Sequence, residues 1–314
     1  MITPRLFRRS LTGAFQWRLL LLWWASLLLP GAIAALPVLR FLQRHLDHST
    51  RALDGSTLME LVRQLGEDGA AASIGLGFTG GVLALIFVSP FTAGAMVAAA
   101  RSDEPPRLSR LLAGAGEFYG RMLRTLLTGL VPLGTAGAIG AGAFKLAERA
   151  VERATLESAA LRSATAAAIV FAVILFVAHL VVDGARAQFA AEPGRRSAVL
   201  ALWSSLRLLA RRPLRMVGIG GLGALIGLGG AAVLMAVRFR IEQVGLAWVL
   251  AQAAHLAVGW GRATRIFGLA ELSRADEASR SRPFQLEPPA EPVVESLTLS
   301  ALSTPSPPES GATR

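Results

Sequence analysis

Six apolar runs of roughly 20 residues each alternate along the chain with segments that gather the charged side chains. The runs cover 19–39, 73–100, 123–144, 164–182, 216–237 and 244–261, each long enough as a helix to cross about 30 Å of hydrocarbon. Three of them close on one pattern. AGAMVAAARS at 93–102, AHLVVDGARA at 178–187 and AHLAVGWGRA at 254–263 share an Ala, a Val four residues on and an Arg eight residues on. Such an internal repeat predicts one helix-pair unit used three times, with its exit charge on the same membrane side each time.

Two connectors carry an amphipathic pattern of their own. Val199, Leu202, Trp203, Leu206 and Leu209 share one face while Arg207 and Arg211 point away, and Pro213 closes the segment. Leu108, Leu111, Leu112, Ala115 and Phe118 repeat the pattern before the third run, and Phe7, Leu11 and Phe15 form a weaker copy before the first. Each copy ends on an arginine followed by apolar residues: Arg18-Leu19-Leu20, Arg121-Met122-Leu123, Arg215-Met216-Val217. The expected fold is therefore all-α: a polytopic bundle of six transmembrane helices in three repeated pairs, with interfacial amphipathic helices on the cytoplasmic side. The spacing of Thr57 and Glu60 adds a capping box for a short surface helix over 58–65.

Composition agrees with lipid as the solvent. Hydrophobic residues make up 53% of the chain, charged residues only 17%, and mean hydropathy is +0.50. The net charge of +11 is almost wholly arginine, Lys145 being the only lysine. No basic stretch alternates with aromatics as a nucleic-acid surface would, whereas anionic headgroups account for the charge directly. Seven arginines in 183–215 make that connector the most basic, which orients both termini toward the cytoplasm of a bacterial inner membrane. Arg186, Arg207, Arg211, Arg212 and Arg215 are the expected headgroup contacts. From 273 the chain turns Ser-, Glu- and Pro-rich, so 1–272 reads as the membrane domain and 273–314 as a disordered cytoplasmic tail. Arg8 and Arg9 before the first run, with Ala32-Ile33-Ala34, also fit a cleaved signal peptide, which would leave five spans; the position of the repeat favours a retained span.

Small and polar residues inside the runs carry the remaining information. Residues 218–223 satisfy GxGxxG but lie inside an apolar run, where no strand and no βαβ unit precede them, so helix packing is the better reading. Gly77 with Gly81, Gly223 with Gly227, and the series Gly134, Ala138, Gly142 present small residues at the same interval. Pro90, with Pro132 and Gly134, suggests kinks that open a cavity or act as a hinge. His179 and His255 each lie seven residues before the repeat arginine, and Asp183 follows His179 by one helical turn. His179, Asp183 and His255 are thus the candidate intramembrane polar site, for a proton, an ion or a polar ligand. The competing reading is a packing hydrogen bond, with Asp183 pairing Arg186.

Chemistry is otherwise sparse. There is no cysteine, no HExxH, no Walker A, no nucleophile elbow and no glycosidase-like carboxylate pair, so no catalytic residue and no cofactor are expected. His45, Asp47 and His48, near Asp54, are the one candidate metal set, and a lipid-modifying enzyme built on them would carry a stoichiometric metal.

The segments RLSRLLAGAGEFYGRMLR and DGARAQFAAEPGRRSAVLALWSSLRLLARRPLR resemble those of uncharacterised bacterial six-span membrane proteins, similar to the membrane domain that some glycerophosphodiester phosphodiesterases carry. The resemblance spans about 5–272 and implies a six-helix bundle in contact with lipids. No phosphodiesterase residues accompany it, so that activity is not implied. Arginine-rich usage also looks like a bacterium with a GC-rich genome. The sequence as a whole points to non-enzymatic transport or sensing of a small or amphipathic molecule. The alternative is a membrane scaffold that recruits a protein partner or a second copy of itself.

Overall fold

The computed structural model describes residues 10–45, 63, 70–102, 104–153, 156–241 and 243–281, and among them the chain forms helices and no strand. After a helical stretch at 10–14, the long elements are α1 (Trp17–His45), α2 (Ala70–Arg101), α3 (Leu108–Glu152), α4 (Glu157–Ala191), α5 (Ala198–Arg211), α6 (Pro213–Ala224), a π-helical turn (Leu225–Gly229), α7 (Gly230–Arg238) and α8 (Val244–Ser281). Six helical stretches are long and apolar enough to cross a membrane: α1, α2, α3, α4, the α6–α7 rod and α8.

Surface composition identifies the solvent. Leu76, Phe78, Val131 and Leu214 are 66–83% exposed, and at most 44% of any apolar window is buried inside the protein. Such surface in water would drive aggregation, whereas hydrocarbon accepts it, and a helix meets all its backbone hydrogen bonds internally there.

The helices overrun their expected limits wherever nothing breaks them. The segment before the third run is not a separate helix lying in the interface, because α3 passes unbroken from Leu108 to Glu152 with no proline before Pro132. Its counterpart α5 does stand apart, capped by Ser197, whose hydroxyl accepts from the Leu200 amide at 3.3 Å, and ended before Pro213 at the start of α6. At the far end α8 continues nine residues into the stretch expected to be disordered, reaching Ser281 and burying Ser273 and Asp276. Residues 282–314, and the capping box at 57–60, lie outside the described residues.

Burial is concentrated at one end of the bundle. Val97 and Ala99 of α2, Leu111, Phe118 and Met122 of α3, Ala185 and Phe189 of α4, Met216 and Ile219 of α6, and Ile266 and Leu269 of α8 are all at most 5% exposed and belong to one cluster. Close backbone approaches join sequence neighbours. A side chain at Gly81 of α2 would strike Ala34 Cβ at 2.8 Å and the Pro30 carbonyl at 2.9 Å on α1. At the other seam Gly261 of α8 sits against Gly223 and Gly227, and a Cβ there would lie 2.6 Å from Gly227 Cα. The π-helical turn falls at this contact, where one residue more per turn shifts the helix face. Gly134 and Gly142 do not take part: nothing lies within 4 Å of either, and the α3–α4 contact uses Gly129 against Val182 and Gly140 against Phe171. The expected stripe is one face away from the real one. Pro90 is buried inside an unbroken α2, and the Tyr119 hydroxyl of α3 donates to the nearby Phe87 carbonyl at 3.2 Å.

Candidate functional site

The last four turns of α4 are almost wholly buried, and they carry two charges into the protein. Asp183 is 2% exposed; its Oδ1 accepts from Arg186 Nη1 at 2.8 Å, and its Oδ2 lies 3.4 Å from Arg265 Nη2 of α8. One turn before Arg265, Arg262 interacts electrostatically with all three groups and sets its guanidinium 5.2 Å from the centre of the Trp23 ring on α1. One carboxylate is thus shared among three guanidiniums, a local surplus of two positive charges contributed by α4 and α8 and faced by α1.

That surplus is what separates the cluster from an ordinary packing contact. A structural polar contact between membrane helices contributes about 1 kcal/mol, while each buried unpaired charge costs several. Arg186 and Arg265 each take one oxygen of Asp183, and Arg262 adds a third positive charge that has no carboxylate oxygen of its own. Hydrogen bonding within the cluster is also incomplete: the donors Arg186 Nε, Arg265 Nε and Trp23 Nε1 and the acceptor Asp183 Oδ2 are buried with no hydrogen-bond partner among the described residues, so donors outnumber the one free acceptor. Buried N–H groups of this kind are ordinarily bonded. The arrangement can accept an anion's oxygens on several charge-assisted donors at once.

His179 and His255 do not join it. Both side chains are exposed, and each ring donates from Nδ1 to the carbonyl one turn earlier on its own helix, Leu175 at 3.0 Å and Ala251 at 2.8 Å. Every residue of α4 from Leu180 to Ala190 is buried, so the helix is enclosed on all sides there; His179 lies just before that enclosed stretch and Asp183 within it.

The expected headgroup arginines also divide. Arg186 is buried in the pair with Asp183 and is not available to lipid. Arg212 turns toward α8, donating from Nε to Asp276 Oδ1 at 2.8 Å, while Arg280 holds the other Asp276 oxygen at 2.7 Å. Arg207, stacked over Trp203, and Arg211 are exposed, and Arg215 is half-buried. His45 ends α1, and its side chain lies with Asp47, His48 and Asp54 outside the described residues. Among the described residues no three His, Cys, Asp or Glu side chains gather as a metal site.

Sequence reasoning missed Arg265, Arg274 and Asp276. Arg265 was legible as the residue three after Arg262, on the same face of one helix. Arg274 was not: its Nη2 spans to the Ala100 and Ala190 carbonyls at 2.8 and 3.2 Å, satisfying the ends of α2 and α4, and Arg101 does the same for Phe189 at 3.0 Å. Such contacts depend on where helix ends meet.

Six long apolar helices, largely exposed along their lengths and packed at one end around a buried ionic cluster, define a multi-pass helical membrane protein. No family model, no curated protein and no solved structure matches the chain.

Proposed function

We propose that this is a bacterial inner-membrane protein, both termini cytoplasmic, that transports or senses a small anionic or amphipathic molecule without transforming it. The carrying observation is the cluster of Asp183, Arg186, Arg262 and Arg265, whose buried donors outnumber their partners. Ionisable groups within membrane helices are expensive, and function is the usual reason for keeping them.

Three repeated helix pairs are part of this reading. Ala93, Ala178 and Ala254 open the repeat and are buried alike, as are Leu19, Met122 and Met216 behind the three arginines that start the pairs. Arg101 stacks on Phe118 of α3 at 4.7 Å and Arg262 on Trp23 of α1, so two repeat arginines each lie over a ring from a neighbouring pair. Exposed Arg207 and Arg211 would grip anionic headgroups.

The test is thermal unfolding of the purified protein titrated with phosphate against chloride at equal ionic strength. A saturable rise in midpoint with phosphate, lost in Arg265→Gln, is expected. No anion-specific rise, or one that survives in Arg265→Gln and Arg186→Gln alike, overturns the reading. The scaffold alternative draws on the polar continuation of α8 to Ser281. It predicts a protein partner co-purifying with the full chain and lost when the residues after 272 are removed.

A further inference from the structure

Two openings meet at Phe15. The first is an apolar groove of about 370 Å³ between α1 and α8, walled by Leu20 and Leu21 on one side and Leu256, Ala257 and Trp260 on the other. The second is a polar cleft of about 890 Å³ at the packed end of the bundle, where Gln16, Arg101, Glu104, Glu271 and Arg274 converge from three parts of the chain. Phe15 lines both, its ring edge-on to Trp260 with centroids 5.3 Å apart.

The two run in register with a bilayer. From Phe15 to Leu21 and, antiparallel, from Trp260 to Ala253, the groove follows the apolar windows for about 10 Å, against ~15 Å for one leaflet of a ~30 Å core. It leads from polar cleft to hydrocarbon, the layout of a lipid with head at one end and chain at the other. Volumes in the range of several hundred cubic ångströms are those of specific ligand sites.

The charges select the head. Two arginines face two glutamates, so the cleft is balanced, unlike the cation-rich cluster on Asp183. Arg274 is committed to Glu271 at 2.9 Å and to the Ala100 and Ala190 carbonyls. Arg101 commits Nε to the Phe189 carbonyl and Nη2 to the Glu192 carbonyl, and lies within electrostatic reach of Glu117 on α3. That leaves Arg101 Nη1 and the exposed Glu104 carboxylate without a hydrogen bond or ion pair among the described residues, one cationic donor and one anionic acceptor. An anionic headgroup would satisfy the first and be repelled by the second. A phosphate bearing a primary ammonium satisfies both. We infer that this seam is a binding site for a zwitterionic aminophospholipid, with phosphate at Arg101, ammonium at Glu104 and one acyl chain in the α1–α8 groove. The inference stands apart from the proposed anion handling and uses different residues.

The full chain, reconstituted in a bilayer of phosphatidylethanolamine, phosphatidylglycerol and phosphatidylcholine, is extracted gently and weighed intact. One phosphatidylethanolamine retained at least fivefold over the other two is expected. Ala257→Phe, which fills the groove, should lose the adduct, and Glu104→Gln should keep a lipid but lose the headgroup preference. Phosphatidylglycerol preferred, no preference, or full retention in Ala257→Phe overturns the site. A phosphatidylethanolamine with a photoreactive acyl chain tests the unmodified protein, so the result does not depend on a variant folding. Cross-links to 20–21 or 256–260 support the site, and cross-links spread over all six spans overturn it. Ala257→Phe should retain its response to phosphate, which separates this failure from failure of the anion site.

Discussion

Asp183 of α4 divides its two oxygens between helices: Arg186 takes one at 2.8 Å from one turn away, and Arg265 approaches the other at 3.4 Å from α8. Removing the carboxylate leaves three buried or half-buried guanidiniums with nothing of opposite sign among them. Breaking a buried pair from one side costs about 3–5 kcal/mol. Asp183→Asn is therefore expected to lower the unfolding midpoint in detergent sharply, and Asp183→Asn with Arg265→Gln to recover part of the loss. A double variant no more stable than the single would show that the two groups are not coupled.

Gly261 and Gly134 should respond in opposite ways. At Gly261 any side chain meets the backbone of Gly227, so Gly261→Val is expected to abolish folded yield by forcing α8 off the α6–α7 rod. At Gly134, where an added Cβ would meet no neighbouring helix within 4 Å, Gly134→Ala removes backbone freedom and should stabilise by up to about 1 kcal/mol. Monodisperse yield on gel filtration and the unfolding midpoint read both.

His179→Leu and His255→Leu should each change stability by less than about 0.5 kcal/mol and leave the phosphate response intact, since both rings satisfy themselves on their own helix and face outward. Loss of the phosphate response in either would return the histidines to the site.

The histidines also mark how far the sequence could be read. Six spans followed from the apolar pattern, because lipid imposes a minimum length and an apolar composition on any crossing helix, whereas the full helix lengths did not, α3 alone running from Leu108 to Glu152. Nor did which of His179 and Asp183 is enclosed: these helices are apolar on all sides, so the pattern does not reveal where neighbouring helices cover them, and α4 becomes covered on every side only from Leu180 onward. The stripe at Gly134, Ala138 and Gly142 went wrong for the same reason. Pairings such as Arg265 to Asp183 and Arg274 to Ala100 join segments far apart in the chain, and no local pattern encodes them.

Arg207 and Arg212 are five residues apart and should report different things. Arg207→Gln with Arg211→Gln removes exposed charge near the membrane surface and is expected to weaken selectivity for phosphatidylglycerol over phosphatidylcholine among boundary lipids, by about 1 kcal/mol per arginine, with stability unchanged. Arg212→Gln breaks the contact to Asp276, a charged hydrogen bond of roughly 1.5–3 kcal/mol, and should expose the end of α8 to trypsin after Arg274 without altering lipid selectivity. Spin-labelled lipid exchange and limited proteolysis distinguish them.

Concentrating burial at one end gives the molecule a mechanical polarity. The end that gathers Phe118, Phe189, Met216 and Ile266 is packed from all six spans at once, whereas the opposite ends leave most of their apolar surface exposed and are held mainly in neighbour pairs, as at Gly81 against Ala34 and Gly140 against Phe171. A change in bilayer thickness or lateral pressure is therefore absorbed as tilt of those far ends, at fractions of a kcal/mol per ångström, while the ionic cluster at the packed end keeps its geometry. The far leaflet sets the posture of the helices, and the near one meets an almost invariant surface.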